Sequence, residues 1–235
     1  YTCVFEAVYL RQMPVDILAE TEAQGGLIPE KWVATDNQRA LRVREGIARN
    51  ISPRALELTE TVFLSCMPHR EMALLRFLLL GFQEGARVLE RLSHPEVAPL
   101  LKAEGHLLGE KHLLLGFVRF AENEGKLFAT ISPKNFVLPL MAGHFADRFT
   151  QETFMIYDQT HGAALIHEGG QARCELVKVE AFEAPEPDER ELRFQALWKQ
   201  FYKTIGIAER NNPRCRMGHM PKRYWVHMTE MKELL

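Results

Sequence analysis

Apolar residues in the first half of the chain recur at helical spacing. Leu56, Thr59, Val62, Phe63 and Cys66 follow Ser52-Pro53, a capping serine with proline at the first helical position, and Pro68 stops the run. A second helix is predicted from about Arg70, with Leu74, Leu75, Leu78, Phe82 and Val88 on one face. Ser93 reads as the next N-cap, with Pro95 and Glu96 in the first turn of a helix that runs towards Leu114. Ala40, Val43, Ile47 and Ile51 mark a shorter amphipathic helix, and residues 2–12 share the pattern.

The period changes near Gly116. Phe117-Val118-Arg119-Phe120 and Lys126 to Ile131 flank Glu122-Asn123-Glu124-Gly125, a hairpin signal with Asn and Gly offered for positive φ. Residues 136–149 return to helical character. Strands are then predicted over 153–157, 163–167 and 174–179, with turns at 158–162 and 168–170. After Pro185-Glu186-Pro187, Asp188 caps a helix bearing Leu192, Leu197, Phe201 and Ile205, with Phe194 and Trp198 alongside. The expected class is α+β: a helical N-terminal half packed on an antiparallel β-sheet of order β-β-α-β-β-β, with C-terminal helices. Residues 1–114 form the mainly helical region. Residues 115–235 hold the sheet and the last helices, and the two are expected to make one compact unit.

Composition narrows the function by exclusion. The 235 residues carry 29 Lys+Arg against 31 Asp+Glu, a net charge of −2. That balance does not fit a protein that coats DNA non-specifically, so any nucleic-acid contact must come from a local patch. The longest apolar runs, at 74–82 and 113–120, contain Arg76 and Arg119 and are too short to span a membrane. The opening residues show no secretory pattern, and Cys3, Cys66, Cys174 and Cys215 form no C-x-x-C pair. A cytoplasmic location without a membrane partner is expected.

Candidate chemistry is sparse. Gly25-Gly26 and Gly81-x-x-x-Gly85 match no phosphate-binding or dinucleotide motif, and no G-x-S-x-G turn is present. Glu104, His106, Glu110 and His112 form the densest set of possible ligands, which His144 and Asp147 could extend. Such spacings recur by chance and H-E-x-x-H is absent, so neither a metal nor another cofactor is expected. In His144-Phe145-Ala146-Asp147-Arg148-Phe149, the functional reading is a histidine oriented by Asp147 with Arg148 receiving an anion; the bland reading is local ion pairing.

The stretch from Glu209 to Trp225 is the most unusual in composition. Arg210, Arg214, Arg216, Lys222 and Arg223 outweigh Glu209, and Tyr224-Trp225 follow the cations. Phosphate neutralisation beside flat rings suits single-stranded or flipped-out nucleotides. Equally, the rings can anchor the C-terminus while the arginines stack on them.

The series Glu110-x-His112, Gly116 to Phe120, Ile131-Ser132-Pro133, His144 to Phe149, Ile156-Tyr157-Asp158, Leu197-Trp198-Lys199, Ile207 to Pro213 and Met220 to Trp225 resembles a bacterial domain family of unknown biochemical function linked to DNA metabolism and repair. The resemblance implies relatives fused to uracil-DNA-glycosylase-like domains and an association with a radical-SAM protein; it supplies no catalytic residues. It favours a nucleic-acid-binding or accessory module, with Arg148, Arg210, Lys222 and Arg223 holding phosphates and Tyr224 or Trp225 stacking on a base. The alternatives are an enzyme acting on a nucleobase or nucleotide through Glu110, His112, His144 and Asp147, and a scaffold for the radical-SAM partner.

Overall fold

The computed structural model describes residues 1–11, 13–18 and 30–232. The chain divides into two compact units, Tyr1–Leu108 and Gly109–Leu235, and the class is α+β. Gln12, the last residue of the first predicted helix, lies outside the described residues, as do Gly25 and Gly26.

The first unit is helical: α1 Thr2–Leu10, α2 Asn37–Asn50, α3 Pro53–Phe63 and α4 Arg70–Glu84, followed by a 3-10 turn at Gly85–Glu90. Ser52 caps α3 by accepting the Ala55 N–H at 3.1 Å, with Pro53 opening the helix. Ile47, Ala55, Leu58, Val62, Leu75 and Phe77 are fully buried at its centre. Gly81 permits close approach there, because a Cβ would lie 2.6 Å from Ile51 Cδ1.

Helix α5, Ala98–Phe117, contains the boundary between the units. Its start corrects the expectation for Ser93. The cap is His94, whose carbonyl accepts the N–H groups of Val97 and Ala98 while its Nδ1 accepts that of Glu96. Its end also differs, since Phe117 closes the helix and Val118 N–H still reaches Leu114 O at 3.0 Å. A glycine inside a helix costs only about 1 kcal/mol, too little for Gly116 to stop one.

The second unit holds β1 Ala121–Asn123, β2 Lys126–Ile131, α6 Leu138–Arg148, β3 Thr153–Asp158, β4 Ala163–His167 and β5 Glu175–Lys178, in sheet order β1-β2-β3-β4-β5. The β1–β2 turn places Glu124 and Gly125 at positive φ; Asn123 remains in the strand. The sheet is mixed, which corrects the fully antiparallel expectation. β2 and β3 run parallel, with Ile131 beside Asp158, because α6 carries the chain back before β3 begins. The remaining pairs are antiparallel.

Ala129, Ile131, Phe154, Ile156 and Leu165 alternate onto one sheet face and pack with Val137, Leu138, Met141 and Phe145 of the α6 region. Phe120 meets Phe145, Phe149 and Phe154 edge-on, with centroids 5.1–5.9 Å apart. After the sheet come α7 Glu189–Ile205, capped by Asp188 through the Glu191 N–H at 2.7 Å, and α8 Pro213–His219. A 3-10 turn, Lys222–His227, follows Pro221 and brings Tyr224, Trp225 and Met228 into the same core.

Candidate functional site

Glu110 on α5 is the most heavily engaged of the expected site residues. Its Oε1 accepts from the Lys134 N–H at 3.1 Å, the Tyr224 hydroxyl at 2.9 Å and Arg223 Nη2 at 3.1 Å. Its Oε2 accepts from the Asn135 backbone at 2.8 Å and the Asn135 amide at 2.6 Å. Burial by itself raises a carboxyl pKa, but these donors outweigh it and hold Glu110 below the usual carboxylate range. Burial, then the Glu110 charge, pushes the Tyr224 hydroxyl up to about 12. The tyrosine therefore stays a donor and the glutamate an anion at neutral pH. This is an anchor joining α5, the loop after β2 and the C-terminal turn, with no proton to exchange near neutrality.

The C-terminal cations divide into two groups. Arg223 contacts Glu110 and lies 4.6 Å from the Tyr224 ring centroid; Arg216 lies 5.7 Å from that of Trp225 and reaches the Tyr202 hydroxyl at 3.5 Å. Tyr224 is 2% and Trp225 3% exposed, and the indole N–H donates to Met220 O at 2.9 Å. This differs from the open stacking platform expected from the sequence, because neither buried ring offers a face to a base. Arg210, Arg214 and Lys222 make up the second group. They are exposed and, among the described residues, enter no ion pair, although Lys222 Nζ sits 5.6 Å from the Trp225 centroid. Arg148, at the end of α6, is likewise exposed, enters no ion pair among the described residues, and lies 5.8 Å from the Phe149 ring centroid.

His112 on α5 and His144 and Asp147 on α6 are exposed. Glu104 is paired with Arg54 within the first unit. The described residues contain no group of three or more His, Cys, Asp or Glu side chains placed to hold a metal ion. Cys215 and His219, on α8, are both exposed.

Sequence reasoning missed two histidine pairs at the C-terminal ends of the parallel strands. Ser132 Oγ, just after β2, lies 2.8 Å from His227 Nε2. His161 Nδ1 lies 2.6 Å from Asp158 Oδ2, and Asp158 is fully buried at the end of β3. Burial, followed by the charge of Lys232, lowers the His227 pKa below its ordinary value. Ser132 and His227 stand 95 residues apart, so no spacing motif announces them, whereas Asp158-x-x-His161 is a local turn that the sequence does offer. Also missed was Arg119, which binds Glu230 at 2.6 Å and the carbonyls of Gly116 and Val118. The first unit separately contains an open cleft of about 450 Å³, where Asp16 Oδ2 meets His69 Nδ1 at 2.8 Å above Met72 and Leu100.

Residues 68–230 match DUF4130, a domain of unknown function. The chain belongs to this family. The DUF4130 match takes in Glu110, both histidine pairs and the whole cationic stretch, and it leaves out Asp16 and the helices α1 to α3. Searches of curated proteins and of solved structures each gave no match. Among the described residues, no helix is long and apolar enough to cross a membrane.

Proposed function

We propose that this DUF4130 protein is a nucleic-acid-binding accessory module of DNA metabolism or repair that grips the phosphate backbone without stacking on bases. The observation that carries this reading is the division of the C-terminal cations: Arg210, Arg214 and Lys222 are exposed and lack carboxylate partners among the described residues, in a chain of net charge −2. Exposed cations without a carboxylate partner are free to neutralise phosphates, and each one that does so releases a counterion from the nucleic acid. The DNA setting, and with it a uracil-DNA-glycosylase-like or radical-SAM partner, comes from the family resemblance alone. The alternative of an enzyme using Glu110, His112, His144 and Asp147 draws no support from Glu110, whose oxygens are already occupied.

The test is anisotropy titration of a labelled single-stranded oligonucleotide against salt. The triple variant Arg210→Ala/Arg214→Ala/Lys222→Ala should lower the log–log salt slope by about 2, at roughly 0.7 per phosphate contact. Absence of salt-sensitive binding to single-stranded, duplex and uracil-containing DNA overturns the reading, as does an unchanged slope in the variant.

A further inference from the structure

The loop between β2 and α6, residues 132–137, is tied to the C-terminal turn at two places. At its start Ser132 Oγ lies 2.8 Å from His227 Nε2. Two residues on, Glu110 Oε1 accepts both the Lys134 N–H and Arg223 Nη2, each at 3.1 Å, so the root of Lys134 and the tip of Arg223 meet on one oxygen. The bond to Lys134 comes from its backbone. Its side chain is exposed and, among the described residues, enters no ion pair. Arg223 engages Glu110 and the Tyr224 hydroxyl through Nη2 alone. Its Nε and Nη1 carry three of the five guanidinium N–H groups and donate no hydrogen bond among the described residues, and the side chain is 39% exposed.

We propose that Lys134 is a phosphate-binding residue, and that it forms, with the free nitrogens of Arg223, a phosphate position for single-stranded nucleic acid on the loop after β2. This rests on the nucleic-acid-binding reading above and adds to it a residue from outside the C-terminal stretch. The local charge favours it. Lys134, Arg223 and Lys222, its neighbour in the chain, stand against the single carboxylate of Glu110, which is 3% exposed and already occupied by its donors. Burial lowers the His227 pKa, so near neutrality the Ser132–His227 contact fixes the loop without adding charge. Position is set as well as charge. A guanidinium held at one nitrogen and lying 4.6 Å from the Tyr224 ring centroid keeps its orientation, and Lys134 starts from a backbone fixed on the same carboxylate. Groups ordered before binding lose less freedom when a ligand arrives.

Anisotropy titrations of a labelled single-stranded oligonucleotide against salt, run on the full chain, test this. Lys134→Gln should lower the log–log salt slope by about 0.7, and Lys134→Gln/Arg223→Gln by about 1.4, at one neutralised charge each. Because Glu110 holds Lys134 through its backbone, Lys134→Gln should melt with the wild type. Lys126, exposed at the opposite end of β2, is the control, and Lys126→Gln should leave the slope unchanged. A second measurement needs no variant: bound oligonucleotide should slow acetylation of Lys134 by an N-hydroxysuccinimide ester several-fold, read by mass spectrometry, and leave that of Lys126 alone. A wild-type chain without salt-sensitive binding overturns the nucleic-acid reading and this proposal with it. If the wild type binds and the triple variant of Arg210, Arg214 and Lys222 lowers the slope, an unchanged slope in Lys134→Gln overturns this proposal alone. So does acetylation of Lys134 that the oligonucleotide fails to slow, or a Lys126→Gln slope that falls as far as that of Lys134→Gln.

Discussion

Replacing Glu110 by glutamine changes one oxygen into an NH2 group and leaves the surroundings otherwise alone. The carboxylate oxygens receive contacts from five donor groups, and the side chain is 3% exposed. If the glutamine keeps its carbonyl towards Tyr224, the Asn135 backbone and amide donors lose their acceptor and face another donor. At about 1–3 kcal/mol for each buried group left unsatisfied, Glu110→Gln should cost ~2–6 kcal/mol. Arg223 adds little, because its side chain is 39% exposed and solvent screens the charge. The assay is urea denaturation followed by tryptophan fluorescence, which reports on the second unit through Trp225. The pH dependence gives an independent check. The folded carboxyl is held below its ordinary value of 4.5, so its contribution is present above that pH and is lost as pH falls through the lower folded value. The difference between wild type and Glu110→Gln should therefore shrink on acidification from pH 7 to about pH 3; Glu230, also held low by Arg119, is common to both and cancels. A variant within about 0.5 kcal/mol of wild type at pH 7, or a difference that ignores pH, would refute the anchoring role.

Trp225→Ala should destabilise by ~3–5 kcal/mol through the cavity it leaves, whereas Lys222→Ala should stay within about 0.5 kcal/mol, and urea curves followed by far-ultraviolet circular dichroism separate the two. Gly81→Ala should lose about 1–3 kcal/mol despite better helix propensity, because the new methyl meets Ile51 Cδ1 at 2.6 Å; adding Ile51→Val should recover part of the loss in a thermal melt. For His227, whose folded pKa is lowered, the unfolded chain binds more protons below 6.5, so stability should fall as pH drops through that value. His227→Gln should flatten that limb in melting temperatures recorded between pH 8 and about pH 5.

Local rules were enough for much of the fold. Ser52 and Asp188 each bond to an N–H three residues on, so the starts of α3 and α7 are written within one turn of chain. β4 occupies 163–167 as expected between the turns at 158–162 and 168–170, and Gly125 takes the positive φ that the hairpin signal required. Where the competing signals were also local, the reading slipped: His94 caps α5 in place of Ser93, and α5 runs through Gly116. The direction of β3 against β2, by contrast, depends on where α6 returns the chain. The candidate site was less legible. Composition alone sets five cations and two rings close together in sequence, but which of them are engaged was decided by long-range partners: Glu110 holds Arg223 and Tyr224 from 113 and 114 residues away, while Arg210, Arg214 and Lys222 stay exposed. For α7, periodicity marked an apolar stripe and could not say what covers it. A sequence pattern records which side chains share a face; whether that face meets a core, water or another molecule is set by long-range packing, whose free energy belongs to surfaces brought together only by the folded chain.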